Sequence, residues 1–354
     1  MRKVNDLSYF SASNSRNGFY SHYRECFDRK EIDELYAIKG GPGTGKSRFI
    51  REVTDRGREK GWTCEMIYCS SDPDSLDGAI LWRGERAVAL LDATAPHVYE
   101  PTRPGFRENL VNLGEFWDAS VLVLKKEEIE RLGREKSEAY RRAYRYLSAF
   151  GEVMENRREL ARPFIRLDAL RRYAQRLLRD VENGSGFSCT PALMRSVGMN
   201  GVIGLDSYLS QAKNLYLIED CRGSAEYLMR DLYDLCREKG LRVLLSHDPI
   251  LLDVIDGLFL PDCGDAFVAW NGQSCPYPHR KVPLQRFVKT AEMRDVRARV
   301  NYAERLSDAM LGGALEELEE VKRAHFLLEE IYSSAMDFAK KEAYTKAFCD
   351  RLFQ

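Results

Sequence analysis

The sequence has no apolar run approaching the ~18 residues a membrane helix needs. Its opening stretch, MRKVNDLSYFSASNS, lacks the apolar centre of a secretory signal. A cytoplasmic chain with no membrane partner is therefore expected. An excess of charge of either sign is also missing. With 54 Lys and Arg against 55 Asp and Glu, the formal net charge is −1, so no global field draws the chain to nucleic acid or anionic lipid. The nine cysteines are odd in number and scattered, without a CxxC pair. That argues against a disulfide framework or a structural metal of zinc-finger spacing, and it fits a reducing compartment.

What is present begins with size. A chain of 354 residues, 44% hydrophobic, can bury more than one core. The chain also resembles itself. Asn17-Gly18, the apolar run Leu35 to Ile38 and the helical ending Arg58-Glu59-Lys60-Gly61 recur as Asn200-Gly201, Leu215 to Ile218 and Arg237-Glu238-Lys239-Gly240, at offsets of 183, 180 and 179 residues. Further on, Asp72-Pro73-x-x-Leu76-Asp77 recurs as Asp248-Pro249-x-x-Leu252-Asp253, and Pro96-His97 as Pro278-His279. A collinear series of this kind points to a duplication.

Each half reads as strands alternating with helices, followed by a long charged helical part. In the first half, Tyr36 to Ile38, Cys64 to Tyr68 and Ala87 to Leu91 are short apolar runs bounded by turn residues. The expectation is an α/β fold with a parallel sheet flanked by helices. Apolar positions three and four apart, from Tyr140 to Met154 and again from Leu311 to Phe338, predict helical hairpins that pack their own stripes. The predicted organisation is 1–124 with the nucleotide loop, 125–183 helical, 184–290 a degenerate copy and 291–354 helical. Residues 134–179 are rich in Arg and Lys, whereas 311–330 is acid-rich. Solvated faces, docking between the two helical regions, or a phosphate-bearing partner would each account for that contrast.

The segment Gly40-Gly41-Pro42-Gly43-Thr44-Gly45-Lys46-Ser47 satisfies GxxxxGK[ST], with an apolar strand before it and a helical run starting at Arg48 after it. Glycines let the backbone wrap a phosphate with N–H groups pointing inward, and the following helix offers its positive end to the same anion. Lys46 is expected to reach the β and γ phosphates and Ser47 to bind Mg2+ through its hydroxyl. The predicted ligand is a nucleoside triphosphate, ATP.

A P-loop enzyme also needs a carboxylate near its metal. Asp92, at the end of Ala87 to Leu91, is the candidate. Thr94 and His97 follow it, placed to touch the γ phosphate and to orient water or a substrate. The segment Cys69 to Gly78 brings Asp72 and Asp77 to the same region, as metal or acceptor ligands or simply as turn and cap residues. In the second half the loop has decayed to Glu219-Asp220-Cys221-Arg222-Gly223-Ser224-Ala225-Glu226, one residue shorter. Its acids would repel phosphate. Phe267 to Asn271 ends without a carboxylate, and Arg222 or Arg280 is left as a candidate arginine finger across a pseudo-twofold interface.

The strings GGPGTGKS, CSSDPDSLDG and LLDATAPH, in this order and spacing, resemble an uncharacterised family of bacterial P-loop ATPases with two tandem P-loop NTPase halves. The likeness covers most of the chain and is strongest over 17–117. It implies a cytoplasmic nucleotide-binding protein with Gly40 to Ser47 in the usual roles, and the eroded second loop departs from a two-site arrangement. Three functions compete: an ATPase that moves its helical regions, a kinase passing phosphate to a small-molecule acceptor, and a nucleotide-sensing module that binds a protein partner.

Overall fold

The computed structural model describes residues 6–270, 272 and 274–354. Asn271 and the first five residues of the amino-terminal reading lie outside them.

The chain begins with β1 (Ser8–Phe10), β2 (Ala12–Ser15), β3 (Gly18–Ser21), α1 (Tyr23–Phe27), β4 (Glu34–Lys39) and α2 (Lys46–Glu59). It continues through β5 (Thr63–Tyr68), β6 (Leu76–Arg83), β7 (Arg86–Asp92), β8 (Glu108–Asn112), α3 (Ala119–Leu124), α4 (Lys126–Ala161) and α5 (Leu167–Leu177). The second series starts with β9 (Ser188–Pro191), β10 (Arg195–Gly198), β11 (Gly201–Gly204), α6 (Ser207–Gln211), β12 (Asn214–Glu219) and α7 (Ser224–Glu238). It ends with β13 (Arg242–His247), β14 (Ile255–Leu260), β15 (Asp265–Trp270), β16 (Arg280–Pro283), α8 (Arg294–Ser334) and α9 (Phe338–Leu352).

The first sheet has the order β1-β5-β6-β7-β4-β8, and the second, read the same way, β9-β13-β14-β15-β12-β16. Two sheet–helix units of one topology agree with the repeat in the sequence. The matched Asn-Gly pairs close the β2–β3 and β10–β11 hairpins, where Gly18 and Gly201 take φ of +96° and +87°.

The sheets are mixed rather than wholly parallel, a correction to the expectation. In each, one strand runs against the rest: β6 pairs antiparallel with β5 and β7, and β14 with β13 and β15. The cause is local. Arg83 pairs with Arg86 across a two-residue turn containing Gly84 at φ +60°, which returns β6 directly into β7 as a hairpin.

Period-two burial fixes the layers. Leu35 and Ala37 of β4 and Ala87, Ala89 and Leu91 of β7 join Leu215, Leu217, Ala266 and Val268 in a core between the two sheets. Ile38, Val88 and Leu90 face the other way, onto α2 and α9. The second sheet's outer face is covered by α5 and α7. Strands buried on both faces read as continuous apolar runs, which is why they stood out in sequence.

The helical regions do not form self-packed hairpins. Helices α4 and α8 lie antiparallel along each other, with Ala139, Ala143 and Leu147 against Ala314, Leu318 and Val321. Gly313 admits the Tyr146 ring: a Cβ there would lie 2.7 Å from it. The basic and acidic faces meet in Arg142–Glu317 at 2.8 Å and Arg157–Glu304 at 2.9 Å, so docking between the regions accounts for part of their charge contrast. The short helix α5, 11 residues long, does not run back along the 36 residues of α4. It packs on the second unit instead, and α9 crosses back to the first. Among the described residues no helix is long and apolar enough to cross a membrane.

Candidate functional site

The loop from Gly40 to Gly45 joins β4 to α2 at the carboxyl end of the strand, where ligands gather in open sheets. Gly43 and Gly45 take φ of +67° and +76°, and Gly45 caps α2. A side chain at either position would be strained. Thr44 is fully buried and its hydroxyl donates to the Gly41 carbonyl at 2.9 Å. Lys46 folds back over the loop. Its Nζ donates to the Gly40 and Gly41 carbonyls, both at 2.8 Å, and lies 3.5 Å from Asp92 Oδ2.

Asp92 reaches that position because β7 is the parallel neighbour of β4, with Ile38 opposite Asp92. Its other oxygen accepts the Thr94 N–H at 2.8 Å, and the Thr94 hydroxyl donates to Gly40 O at 2.8 Å. Lys46, Asp92 and Thr94 thus converge on the loop. Ser47 Oγ accepts the Leu76 N–H at 2.9 Å, tying α2 to the start of β6. Two candidates turn elsewhere. Arg48 pairs with Glu52 at 2.8 Å and Glu342 of α9 at 3.0 Å. Asp72 uses one oxygen on the Asp74 N–H and the other on the Ser75 hydroxyl, so it builds its own turn. Pro42 sits half-buried at the tip of the loop.

His97 belongs to a second group beside the first. Its ring stacks on Tyr23 (4.9 Å, 11°), meets the edge of Phe19 (5.2 Å), and brings Nε2 to 3.3 Å from Asp77 Oδ2. That separation suits an ion pair, but Oδ2 has no hydrogen-bond partner and neither does His97 Nδ1. Cys69 completes the group: its sulfur and one donor atom each from Asp77 and His97 lie within 4.8 Å of one another. Burial raises the Asp77 carboxyl above its usual range, His97 opposing and Asp92 adding to the rise. Burial also pushes the Cys69 thiol well up.

The sequence alone missed what lies over the loop. The end of α8 covers it: the Ser333 hydroxyl donates to Gly43 O at 3.2 Å, and a Cβ on Gly43 would lie 2.6 Å from the Glu329 carbonyl oxygen. The Glu329 carboxyl is held below its usual range by His325 first, burial opposing, with the Gly43 N–H and Lys46 acting in the same direction as His325. From α4, Lys136 Nζ lies 3.0 Å from His325 Nδ1, and the Tyr140 hydroxyl 3.5 Å from Ser71 Oγ. Nothing in an acid-rich amphipathic helix marks Glu329 as the residue that meets the loop.

The second unit shows how far its copy has diverged. The strands match at an offset of 180 and the buried helix faces at 179, Phe49, Ile50 and Val53 against Leu228, Met229 and Leu232, so the loop is one residue shorter and α7 begins one position earlier than α2. Asp220 accepts the Gly223 and Ala225 N–H groups at 2.9 and 2.8 Å, which fills the turn from within. Ala269 stands opposite Ile218, where the first unit has Asp92 opposite Ile38. Arg222 is engaged by Glu304 at 2.8 Å, and Arg280 lies over the Tyr216 ring. Both candidate fingers are committed inside their own unit. The repeat Asp-Pro-x-x-Leu-Asp also falls out of register. Tyr68 opposes Leu76 as His247 opposes Ile255, so the counterpart of Asp77 is Asp256 rather than Asp253, and that of Cys69 is Asp248.

No family model, no curated protein and no solved structure matches the chain.

Proposed function

We propose that the chain is a Mg2+-dependent P-loop ATPase with one working site, in the first unit, whose turnover shifts the end of α8 on the loop. The observation that carries this reading is the convergence of Lys46 and Asp92 on a glycine loop at the carboxyl ends of two parallel neighbours. The residues fit a triphosphate. The glycines supply N–H groups without side chains in the way, and Lys46, now bonded to two loop carbonyls, is the cation that phosphate oxygens would draw off. Ser47 would hold Mg2+, with Asp92 behind a metal-bound water and Thr94 beside the terminal phosphate. Bound Mg2+ would neutralise charge on the phosphates as the terminal bond breaks. Asp72, spent on its own turn, offers little to a phosphate acceptor, which favours water over a small-molecule substrate.

Occupancy has one condition: the end of α8 already lies on the loop, with Ser333 bonded to Gly43 O and the Glu329 backbone beside Gly43, so phosphate and α8 compete. That competition supplies the coupling. The test is phosphate release from Mg-ATP by the full chain. Wild type is expected to turn over, and Lys46→Ala to lose at least about a hundred-fold. ATP bound tightly with no phosphate released would overturn the hydrolytic reading.

A further inference from the structure

We propose that Cys69, Asp77 and His97 form a binding site for a zinc-class divalent cation, distinct from any Mg2+ on the loop. One donor comes from the residue after β5, one from β6 and one from the turn after β7, so three neighbouring strands of one sheet aim them at a common point. Asp77 and His97 are 4% and 7% exposed. Donor atoms on a tetrahedral ion bound at about 2.0–2.3 Å sit roughly 3.3–3.7 Å apart, and His97 Nε2 and Asp77 Oδ2 are 3.3 Å apart without a hydrogen bond between them. An unpartnered buried carboxylate oxygen is costly unless something cationic meets it.

The second unit supplies the independent evidence, because its copy of the place does hold a cation. Asp248 and Asp256, the counterparts of Cys69 and Asp77, are bridged by Arg195, whose Nη2 lies 3.6 Å from one and 2.7 Å from the other. By hairpin register the first unit has Ala12 where Arg195 stands. Ala12 carries no charge where Arg195 does, and one acid is replaced by a thiol. A sulfur, an imidazole and one carboxylate select a borderline-soft ion over Mg2+ or Ca2+. Three protein ligands leave a fourth position for water, the pattern of zinc sites that do chemistry rather than hold a fold.

The experiment is titration of the reduced full chain with Co2+, without nucleotide, so that it fails or succeeds apart from the reading of the loop. One equivalent is expected to bind with a thiolate-to-cobalt charge-transfer band, displaced by Zn2+ and resistant to excess Mg2+. Cys69→Ser, nearly isosteric, should abolish the band, and Asp77→Ala should weaken binding at least about ten-fold, with circular dichroism confirming that each folds. Folded wild type that takes up no cobalt, or a band that persists in Cys69→Ser, overturns the proposal.

Discussion

At the scale of single residues, Asp77 is a carboxyl whose charge state is changed by its surroundings. Its carboxyl is buried beside Asp92, and its folded pKa stands above the ordinary 3.8 because burial outweighs the attraction of His97. A folded value above the unfolded one means that protons favour the folded chain. The contribution is fully present below about pH 3.8 and is lost as pH rises through the raised value. Asp77→Asn removes that loss. The metal-free variant should therefore melt a few degrees higher than metal-free wild type at neutral pH, with the gain vanishing below the carboxylate range. Calorimetry at the two pH values checks this, and an equal or lower midpoint at neutral pH contradicts it. Added Zn2+ should reverse the order by stabilising wild type alone. Asp77 was legible in sequence only as one of several acids in a turn-rich segment. Its burial and its partner His97, 20 residues away, depend on the β6 hairpin, which period and propensity did not separate from a loop.

At the scale of elements, the loop and its strand were the most legible parts, because glycine spacing and an apolar run buried on both faces leave a direct trace in sequence. The end of α8 left none. Glu329 is one acid among many on a solvated face, and its approach to Gly43 is set by how α8 lies along α4, a contact between residues nearly two hundred positions apart. That placement has a measurable consequence. If the Glu329 carboxylate competes with phosphate for the Gly43 N–H and Lys46, then Glu329→Gln should bind Mg-ATP more tightly. A gain of about ten-fold corresponds to about 1.4 kcal/mol, on the order of one charge-assisted hydrogen bond. Isothermal titration measures it directly. Unchanged or weaker binding would show that α8 supports the loop rather than competing for it. Hydrogen exchange across 325–336 should rise when nucleotide binds, since the helix end must leave its seat.

At the scale of the whole molecule, the two units exchange their terminal helices, so neither sheet is covered by its own chain segment alone. The repeat was visible in sequence. The exchange was not, because an apolar stripe on α5 or α9 marks a buried face without saying which sheet it covers. The loop-bearing sheet therefore depends on residues at the far end of the chain. Phe348 of α9 is 2% exposed and packs against Tyr36 at 4.9 Å and Phe49 at 5.1 Å, which come from the strand before the loop and the helix after it. Truncating a buried aromatic of this kind typically costs about 3–5 kcal/mol, through lost transfer energy and the cavity left behind. Phe348→Ala should lower stability by that amount in denaturant titration of the full chain. It should also weaken Mg-ATP binding even though Phe348 does not touch the loop, because β4 and α2 lose the layer that fixes the angle between them. A loss below about 1 kcal/mol, with nucleotide affinity unchanged, would mean that the first sheet holds its loop without α9 and that the exchange of helices has no bearing on the site.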